Sequence, residues 1–334
     1  MKRIVYLFVA LLMMATADAQ TLTERQKGLA ACACLMAQGD MNRLEPTVRM
    51  ALNKGVTINE LKEAFSQLYA YTGFPRSLNA LGVLSKVLEN KQPEWQEGKP
   101  WKRPAEWDDA KKAYELGVKN QTQLSGKPFN YEFCPQDDYY LKSHLFGDIF
   151  AGDQLSAADR EIVTVAALSG LDGVAPQLAA HKQGAVNMGN SKQQVDELCT
   201  WLCNEGYTLN TKWPKGEPNP YGKYFIGQSY LADVGGGVMN VTFEPCCRNN
   251  WHIHHKQVQV LICVAGRGWY QEWGKAPVEM TPDTVIAVPA EVKHWHGAQK
   301  DSWFQHLTYH KDVQEGAGNE WCEPVDDATY NALK

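Results

Sequence analysis

Two segments of the chain repeat one pattern, and this repetition constrains the fold more than any other feature of the sequence. Residues 51–61 and 185–195 each contain a glycine, then a hydroxyl residue two positions later, then a Glu or Gln three positions after that. A left-handed glycine ends one helix, and a hydroxyl residue with Glu or Gln in this spacing begins the next as a capping box. The residues are Gly55, Thr57 and Glu60 in the first segment and Gly189, Ser191 and Gln194 in the second. The sequence therefore predicts the same helix-turn-helix unit twice.

The repetition extends upstream of both segments. Residues 22–26 and 155–159 each place a hydroxyl N-cap before an apolar helix rich in small side chains. Stretches rich in proline follow each copy, and proline cannot continue a helix. We therefore expect a first helical repeat, a linker, a second helical repeat and a second linker at residues 20–92, 93–105, 106–210 and 211–220.

The residue pattern of the chain changes after residue 220. Short runs of Val, Ile, Phe, Trp and Tyr alternate with Gly and Pro, which is typical of an antiparallel β-sandwich or small barrel. We place the barrel at residues 221–312 and a tail at 313–334. The predicted fold class is multidomain α + β, with two all-α repeats followed by an all-β barrel.

The first 19 residues have the organisation of a secretory signal peptide. Lys2 and Arg3 precede an apolar run at residues 4–14, and an Ala-x-Ala ending falls just before Gln20. The apolar run is too short for a bilayer core of about 30 Å. We expect an exported protein, periplasmic in a Gram-negative source, that is not anchored in a membrane.

Charge and cysteine content restrict the partners. The net charge is −5 and no basic run occurs, which argues against a nucleic-acid partner. The nine cysteines are an odd number, so at least one thiol has no partner within the chain.

Histidines in the β-rich region predict a metal site. His252 and His254 stand two residues apart, so strand alternation points both to one face. Gln259 lies on the next strand, and His294 with His296 repeats the alternation further on. Three histidines and one amide oxygen can then converge inside a barrel.

The same region resembles the cupin family in two separated motifs. Gln replaces the usual Glu of the first motif, and Pro282 and Glu291 stand where the second commonly has glycines. The matching residues are His252, His254, Gln259 and Gly266, then Asp283, Pro289 and His294. The resemblance covers roughly residues 218–312 and implies that His252, His254, Gln259 and His294 bind one divalent metal ion. Zn, Mn, Fe, Ni and Cu all accept imidazole ligands. The alternative is that these are ordinary barrel histidines of a cupin without metal.

Two further histidines are candidates for proton transfer. His296 faces the same way as His294, and His306 is expected on a neighbouring strand. Either can act as an acid, a base or a partner of a metal ligand, and we select His306 as the catalytic candidate. The alternative for each is a hydrogen-bonded core residue.

The helical repeats resemble the carboxymuconolactone decarboxylase family, which includes members that reduce peroxides. The resemblance covers about residues 21–90 and 135–206. It rests on Leu155, Arg160, Glu161, Ala166–Leu168, Gln177–His181, Ala185 and Gly189, and on residues 69–75 in the first copy. By this resemblance His181 is a general acid or base that Glu161 orients, and the subunits form a homo-oligomer.

The first copy has Gly28 and Thr47 where the second has Glu161 and His181, so only the second copy keeps groups that move protons. The alternative is that Glu161 pairs with Arg160 while His181 caps a surface. Tyr71, Arg76 and Asn79 are candidates for binding a substrate carboxylate.

Redox members of this family need a Cys-x-x-Cys pair before the histidine. No such pair precedes His181. We interpret the pairs Cys32/Cys34 and Cys199/Cys203 as small buried residues and not as a redox centre.

The leading hypothesis is an exported metal-dependent enzyme that acts on a small oxo-acid or lactone by decarboxylation or hydrolysis. A peroxidase-like reductase that uses cysteines is the first alternative. A non-catalytic protein that binds a small ligand is the second.

Overall fold

The computed structural model of the protein describes residues 21–209, 211 and 213–333. The predicted signal peptide, residues 1–19, lies outside the described residues. No helix among the described residues is long and apolar enough to cross a bilayer. The described chain forms helices first and strands afterwards, so the predicted fold class is confirmed.

The first repeat consists of helices α1 Glu24–Gln38, α2 Met41–Asn53, α3 Ile58–Gln67 and α4 Tyr69–Leu88. A capping box of Thr23 and Gln26 begins α1, and Gly39, with a φ of 80°, ends it. The capping box predicted from Thr57 and Glu60 begins α3. Local hydrogen bonding therefore sets these helix ends as the sequence indicates.

The second repeat begins with additional helical segments and then repeats the succession of α1, α2 and α3. Its elements are a 3-10 helix at Ala105–Asp108, α5 Ala110–Ser125, α6 Pro135–Tyr140, a π-helix at Leu141–Ile149, α7 Ala157–Ser169, α8 Ala175–Asn187 and α9 Lys192–Asn204. The capping box of Ser191 and Gln194 begins α9. Asn187 donates from Nδ2 to the carbonyl of Leu124 over 2.7 Å, which holds α5 against the end of α8.

Helices α1 and α7 occupy the same position in the two repeats and lie in one shared apolar core. Small side chains in α1 allow this close packing. A Cβ at Gly28 would lie only 3.0 Å from Ala51 of α2. The position equivalent to Glu161 therefore has no room for a carboxylate side chain in the first repeat.

The strands are β1 Glu217–Pro218, β2 Phe225–Ile226, β3 Ser229–Asp233, β4 Met239–Phe243, β5 Arg248–Asn249, β6 His252–His255, β7 Val258–Gly266, β8 Gly268–Glu272, β9 Val278–Met280, β10 Val285–Val288, β11 His294–Ala298, β12 Phe304–Lys311 and β13 Gly318–Trp321. One sheet has the order β1-β3-β4-β12-β7-β10, and the other has β13-β6-β11-β5-β2 with β8 and β9 beside β11. Phe243, Leu261 and Phe304 belong to the buried apolar cluster of this barrel.

The barrel does not end at residue 312, where the sequence suggested a tail. Strand β13 pairs with β6, and a short helix α10, Asp327–Asn331, follows. Tyr330 donates its hydroxyl to the carbonyl of Ala298 over 2.7 Å, and Arg248 donates to the carbonyl of Val325. These bonds fix the end of the chain on the outer face of the sheet.

Two arginines join the helical half to the barrel. Arg43 of α2 donates to the carbonyl of Asp301 over 2.7 Å, and Arg267 of the barrel donates to the carbonyl of Asn204 over 2.9 Å. The two halves are therefore in direct contact as well as connected by the second linker.

Candidate functional site

The candidate metal centre lies where β6, β7 and β11 meet. Strands β6 and β11 pair with His252 opposite His294. Alternation along β6 places His254 on the same face as His252, and β7 brings Gln259 from the other sheet. Residues from three separate strands are thus assembled at one place inside the barrel.

The geometry of this cluster is compact. One ring nitrogen from each of His252, His254 and His294 lies within 4.8 Å of the other two. Gln259 Oε1 lies 3.0 Å from His294 Nε2. None of the four residues is more than 6% exposed. The structure therefore brings together all four residues predicted as metal ligands.

The outward nitrogen of each histidine has an acceptor. His252 Nδ1 donates to the carbonyl of Asn250 over 3.0 Å, and His294 Nδ1 donates to the carbonyl of Val292 over 2.9 Å. His254 Nδ1 donates to the side-chain oxygen of Asn319. A carbonyl oxygen of the backbone or of an amide side chain only accepts hydrogen bonds. Nδ1 therefore carries the proton in each ring, and Nε2 keeps its lone pair.

Burial keeps the three rings neutral. It lowers the pKa of His252 well below its ordinary value, that of His254 to about 4 and that of His294 to about 3. Desolvation disfavours the charged imidazolium in each case. A neutral imidazole with a free Nε2 is the form that binds a metal ion.

The donor set fits a divalent metal ion. His254 Nε2 is buried and has no hydrogen-bond partner among the described residues, although an unpaired buried polar atom is costly. Three imidazole nitrogens and one amide oxygen carry no net charge, so a bound ion keeps its full charge. Imidazole and oxygen ligands suit Zn, Mn, Fe, Ni and Cu.

The centre opens into a cavity of about 320 Å³. Its wall has an apolar part, formed by Phe225, Leu231, Met239 and Val241. Its remaining wall includes His296, His306, Thr308 and His310. A volume near the lower end of the usual range for ligand pockets suits a small molecule.

His306 of β12 faces this cavity from the opposite sheet. Its Nδ1 lies 3.2 Å from the carbonyl of Leu307, and its Nε2 is buried without a partner among the described residues. Burial lowers the pKa of His306 to about 4, so the ring is a neutral base near neutral pH. His296 instead has Asn249 Nδ2 at 3.1 Å from its Nε2 and is a hydrogen-bonded residue of the wall.

Two residues of β13 at this site were missed by sequence reasoning, which had assigned them to a tail. Asn319 and Trp321 line the cavity opposite His254 and His252. Asn319 and Trp321 stand two residues apart, as His252 and His254 do. This alternation is the sequence signal that predicts a strand at residues 318–321.

A second cluster lies in the helical half. His181 Nδ1 lies 2.8 Å from Glu161 Oε2, and the Glu161 side chain is fully buried. Arg160 donates to Glu63 over 2.6 Å and to Gln67 over 2.8 Å. The alternative in which Glu161 pairs with Arg160 is therefore wrong, because the Arg160 guanidinium is directed to other partners.

Tyr71 of the first repeat reaches this pair of the second repeat. Its ring meets the His181 ring edge to face, with centroids 5.5 Å apart. Its hydroxyl and Glu161 Oε1 are both buried without a hydrogen-bond partner among the described residues. The other candidates for carboxylate binding are placed differently: Arg76 donates to the carbonyl of Ala37, and Asn79 is exposed.

The cysteines form no disulfide among the described residues. All nine are free thiols. Cys32 and Cys34 are fully buried, and burial raises the pKa of Cys32 strongly and that of Cys34 to about 12. Cys199 and Cys203 are half-buried, so they are more accessible than the sequence suggested.

Comparison with known proteins identifies relatives of both halves. The family model described as the carboxymuconolactone decarboxylase family matches residues 4–86 and 139–208. An (R)-mandelonitrile lyase from Granulicella tundricola is 40% identical over 91 residues, which make 27% of this chain and 68% of that lyase. Peroxisomal protein 2 from Saccharomyces cerevisiae is 42% identical over 61 residues, which make 18% of this chain and 21% of that protein. A cupin-like protein from Thermotoga maritima aligns with a TM-score of 0.35 at 29% identity, covering 37% of this chain and 96% of that one.

The architecture and the site define the class of the protein, two decarboxylase-like helical repeats followed by a cupin barrel with a three-histidine centre. The helical half of the chain matches the carboxymuconolactone decarboxylase family, and its C-terminal strands form a cupin-like barrel. Both resemblances predicted from the sequence are confirmed.

Proposed function

We propose that this protein is an exported, metal-dependent lyase that breaks a carbon–carbon bond of a small molecule at the cupin centre. The convergence of three imidazole nitrogens with Gln259 Oε1 in the wall of a cavity carries this proposal. The similarity to an (R)-mandelonitrile lyase supports the reaction type. The candidate substrates are therefore α-hydroxynitriles such as mandelonitrile, beside the small oxo-acids and lactones that the helical repeats suggest.

A divalent ion bound by the four ligands supplies a Lewis acid for an oxygen of the substrate. The chain itself supplies the base. His306 borders the same cavity, and its buried Nε2 has no hydrogen-bond partner among the described residues, so we assign it the proton of a substrate hydroxyl. The carbon–carbon bond then breaks as the carbonyl forms, the electron pair leaves with the departing carbon, and that group takes the proton back from His306.

The apolar wall of the cavity orients the rest of the substrate. Leu231, Met239 and Val241 face the space beside the histidines, so a hydrocarbon or aryl group is favoured there. The polar oxygen is then directed to the metal centre and not to this wall.

The helical half supports a second candidate site, at which protons move without a metal. Glu161 has only His181 as a hydrogen-bond partner among the described residues, and it holds that ring with Nε2 free. The Tyr71 hydroxyl, contributed by the first repeat, is the third polar group of this site. In the decarboxylase hypothesis, His181 protonates the carbanion that remains after carbon dioxide leaves.

A panel of substrates tests the proposal. Purified protein is assayed with (R)-mandelonitrile, a γ-lactone and a 2-oxo acid, before and after treatment with a chelator and again after a metal ion is restored. We expect turnover of at least one compound that is lost with the chelator and restored by metal. Turnover that persists unchanged in chelator contradicts the cupin centre as the active site.

The alternatives have their own readouts. Oxidation of thiols by peroxide at a rate that matches turnover would favour the reductase. Binding of a panel compound without turnover would favour a ligand-binding protein. Export is tested by mass spectrometry of the secreted form, which we expect to begin at Gln20, and the proposed homo-oligomer by its mass in solution.

A further inference from the structure

The last strand of the barrel lies beside the histidine pair of the metal centre. Strand β13 pairs with β6 so that Asn319 stands opposite His254 and Trp321 opposite His252. Both side chains line the cavity that contains the two histidines. The segment from residue 318 to 321 is therefore part of the site and not only a cover on the barrel.

Asn319 determines which nitrogen of His254 is free. His254 Nδ1 donates to Asn319 Oδ1 over 2.6 Å, and the same oxygen accepts a hydrogen bond from Gln257 Nε2 over 3.0 Å. An amide nitrogen only donates, so the contact with Gln257 fixes the oxygen of Asn319 toward the histidine. This leaves His254 Nε2 unprotonated and directed to the metal centre.

His254 differs from the other two ligands in how it is held. The Nδ1 atoms of His252 and His294 donate to the backbone carbonyls of Asn250 and Val292, which remain when a side chain is replaced. His254 depends on a side chain from another strand. Its orientation is therefore sensitive to a single substitution in β13.

Trp321 performs the equivalent task for His252 through ring contact. The two ring centroids are 4.9 Å apart. Tyr224 stacks on Trp321 with centroids 4.6 Å apart and ring planes 7° from parallel. The three rings form a column that restricts rotation of the His252 imidazole.

We propose that β13 clamps the metal centre and that Asn319 and Trp321 are positioning residues for the two imidazoles of β6. The proposal rests on the metal centre of the proposed function. It assigns a role to a segment that contains none of the ligands. Loss of a partner that orients a ligand typically lowers metal affinity 10- to 100-fold, so this is the effect expected on removing Asn319.

Cobalt binding to the full-length protein tests the clamp without any assay of turnover. The affinity for Co²⁺ is measured by competition with a chromophoric chelator, and the visible spectrum of bound Co²⁺ reports the ligand geometry. Asn319→Leu removes the acceptor, Asn319→Asp keeps one, and Glu320→Gln changes the neighbouring residue of the same strand. Asn319→Ala is measured as well, so that a folding defect of the leucine variant still leaves a test.

We expect Asn319→Leu and Asn319→Ala to bind Co²⁺ about 10- to 100-fold more weakly, with an altered spectrum. Asn319→Asp and Glu320→Gln should retain the affinity and the spectrum of the parent. Parental affinity in both acceptor-free variants would overturn the clamp and leave the metal centre intact. A parent protein that binds no Co²⁺ would overturn the metal centre and the clamp together.

Discussion

Gln259 Oε1 lies 3.0 Å from His294 Nε2, and neither atom has a hydrogen to donate. His294 carries its proton on Nδ1, which donates to the carbonyl of Val292, so its Nε2 presents a lone pair. Two lone pairs at this distance repel one another unless a cation binds both. This arrangement supports the proposal that both atoms are ligands of one metal ion.

Substitution of His306 separates metal binding from proton transfer. His306→Gln should retain the metal, because this residue is not a ligand. It should lower turnover about 100-fold or more, the usual contribution of a general base. The measurement is kcat beside metal content, with the exposed Lys311→Gln as the control from the same strand. A variant that keeps parental kcat would contradict the role of His306.

The same variant should change how stability depends on pH. Burial lowers the pKa of His306 to about 4 from an ordinary value of 6.5. As the pH falls, the His306 imidazole takes up a proton in the unfolded chain at a higher pH than in the folded chain. The contribution of the neutral ring to the free energy of unfolding is therefore present above pH 6.5 and is lost as the pH falls toward 4. This difference in pKa corresponds to about 3 kcal/mol of the free energy of unfolding. Urea unfolding of chelator-treated parent and His306→Gln should show a shallower loss in the variant. Equal slopes would contradict the buried neutral ring.

Tyr71→Phe tests the site in the helical half through stability as well as activity. The Tyr71 hydroxyl has no partner among the described residues, so its removal should leave the melting temperature unchanged or raise it slightly. Ser77→Ala in the same helix removes a buried bond of 2.8 Å to the Phe65 carbonyl and should cost about 1 kcal/mol. Turnover of a lactone or oxo-acid that uses this site should fall in Tyr71→Phe and not in Ser77→Ala. A clear loss of stability in Tyr71→Phe would indicate a structural role instead.

The thiols should be unreactive where they are buried. Because burial raises the pKa of Cys34 to about 12, almost no thiolate is present near neutral pH. Iodoacetamide should label Cys32 and Cys34 only after denaturation, as mass spectrometry of peptides reports. Replacing Cys199 and Cys203 together by Ser should leave turnover largely intact. Loss of a peroxide-dependent activity in that folded variant would favour the reductase.

The helix ends and the residues that converge in the candidate metal centre could be predicted from the sequence because both follow local patterns. Capping boxes such as Thr57 with Glu60 are complete within four residues. The histidines of β6 follow strand alternation, and the resemblance to cupins adds His294 and Gln259. These features need no knowledge of how distant segments meet.

The remaining parts of the site depend on contacts between distant segments. The bond from His254 to Asn319 joins residues 65 positions apart, and the approach of Tyr71 to His181 crosses from one repeat to the other. The partner of Arg160 was also mistaken, because Glu63 lies 97 positions away. Arg160 of α7 binds the carboxylate of Glu63 in α3 and not that of its sequence neighbour Glu161.

Elemental analysis of the purified protein decides whether the histidine cluster of the barrel is a metal centre. Parent, His294→Ala and His306→Ala proteins are prepared identically, and metal is measured per chain. We expect about one divalent ion in the parent, a similar amount in His306→Ala and little in His294→Ala, because removal of a ligand leaves an incomplete coordination shell. The helical repeats should stay folded in all three, since their apolar core is separate from that of the barrel. Equal metal content in the parent and His294→Ala would contradict the proposed centre.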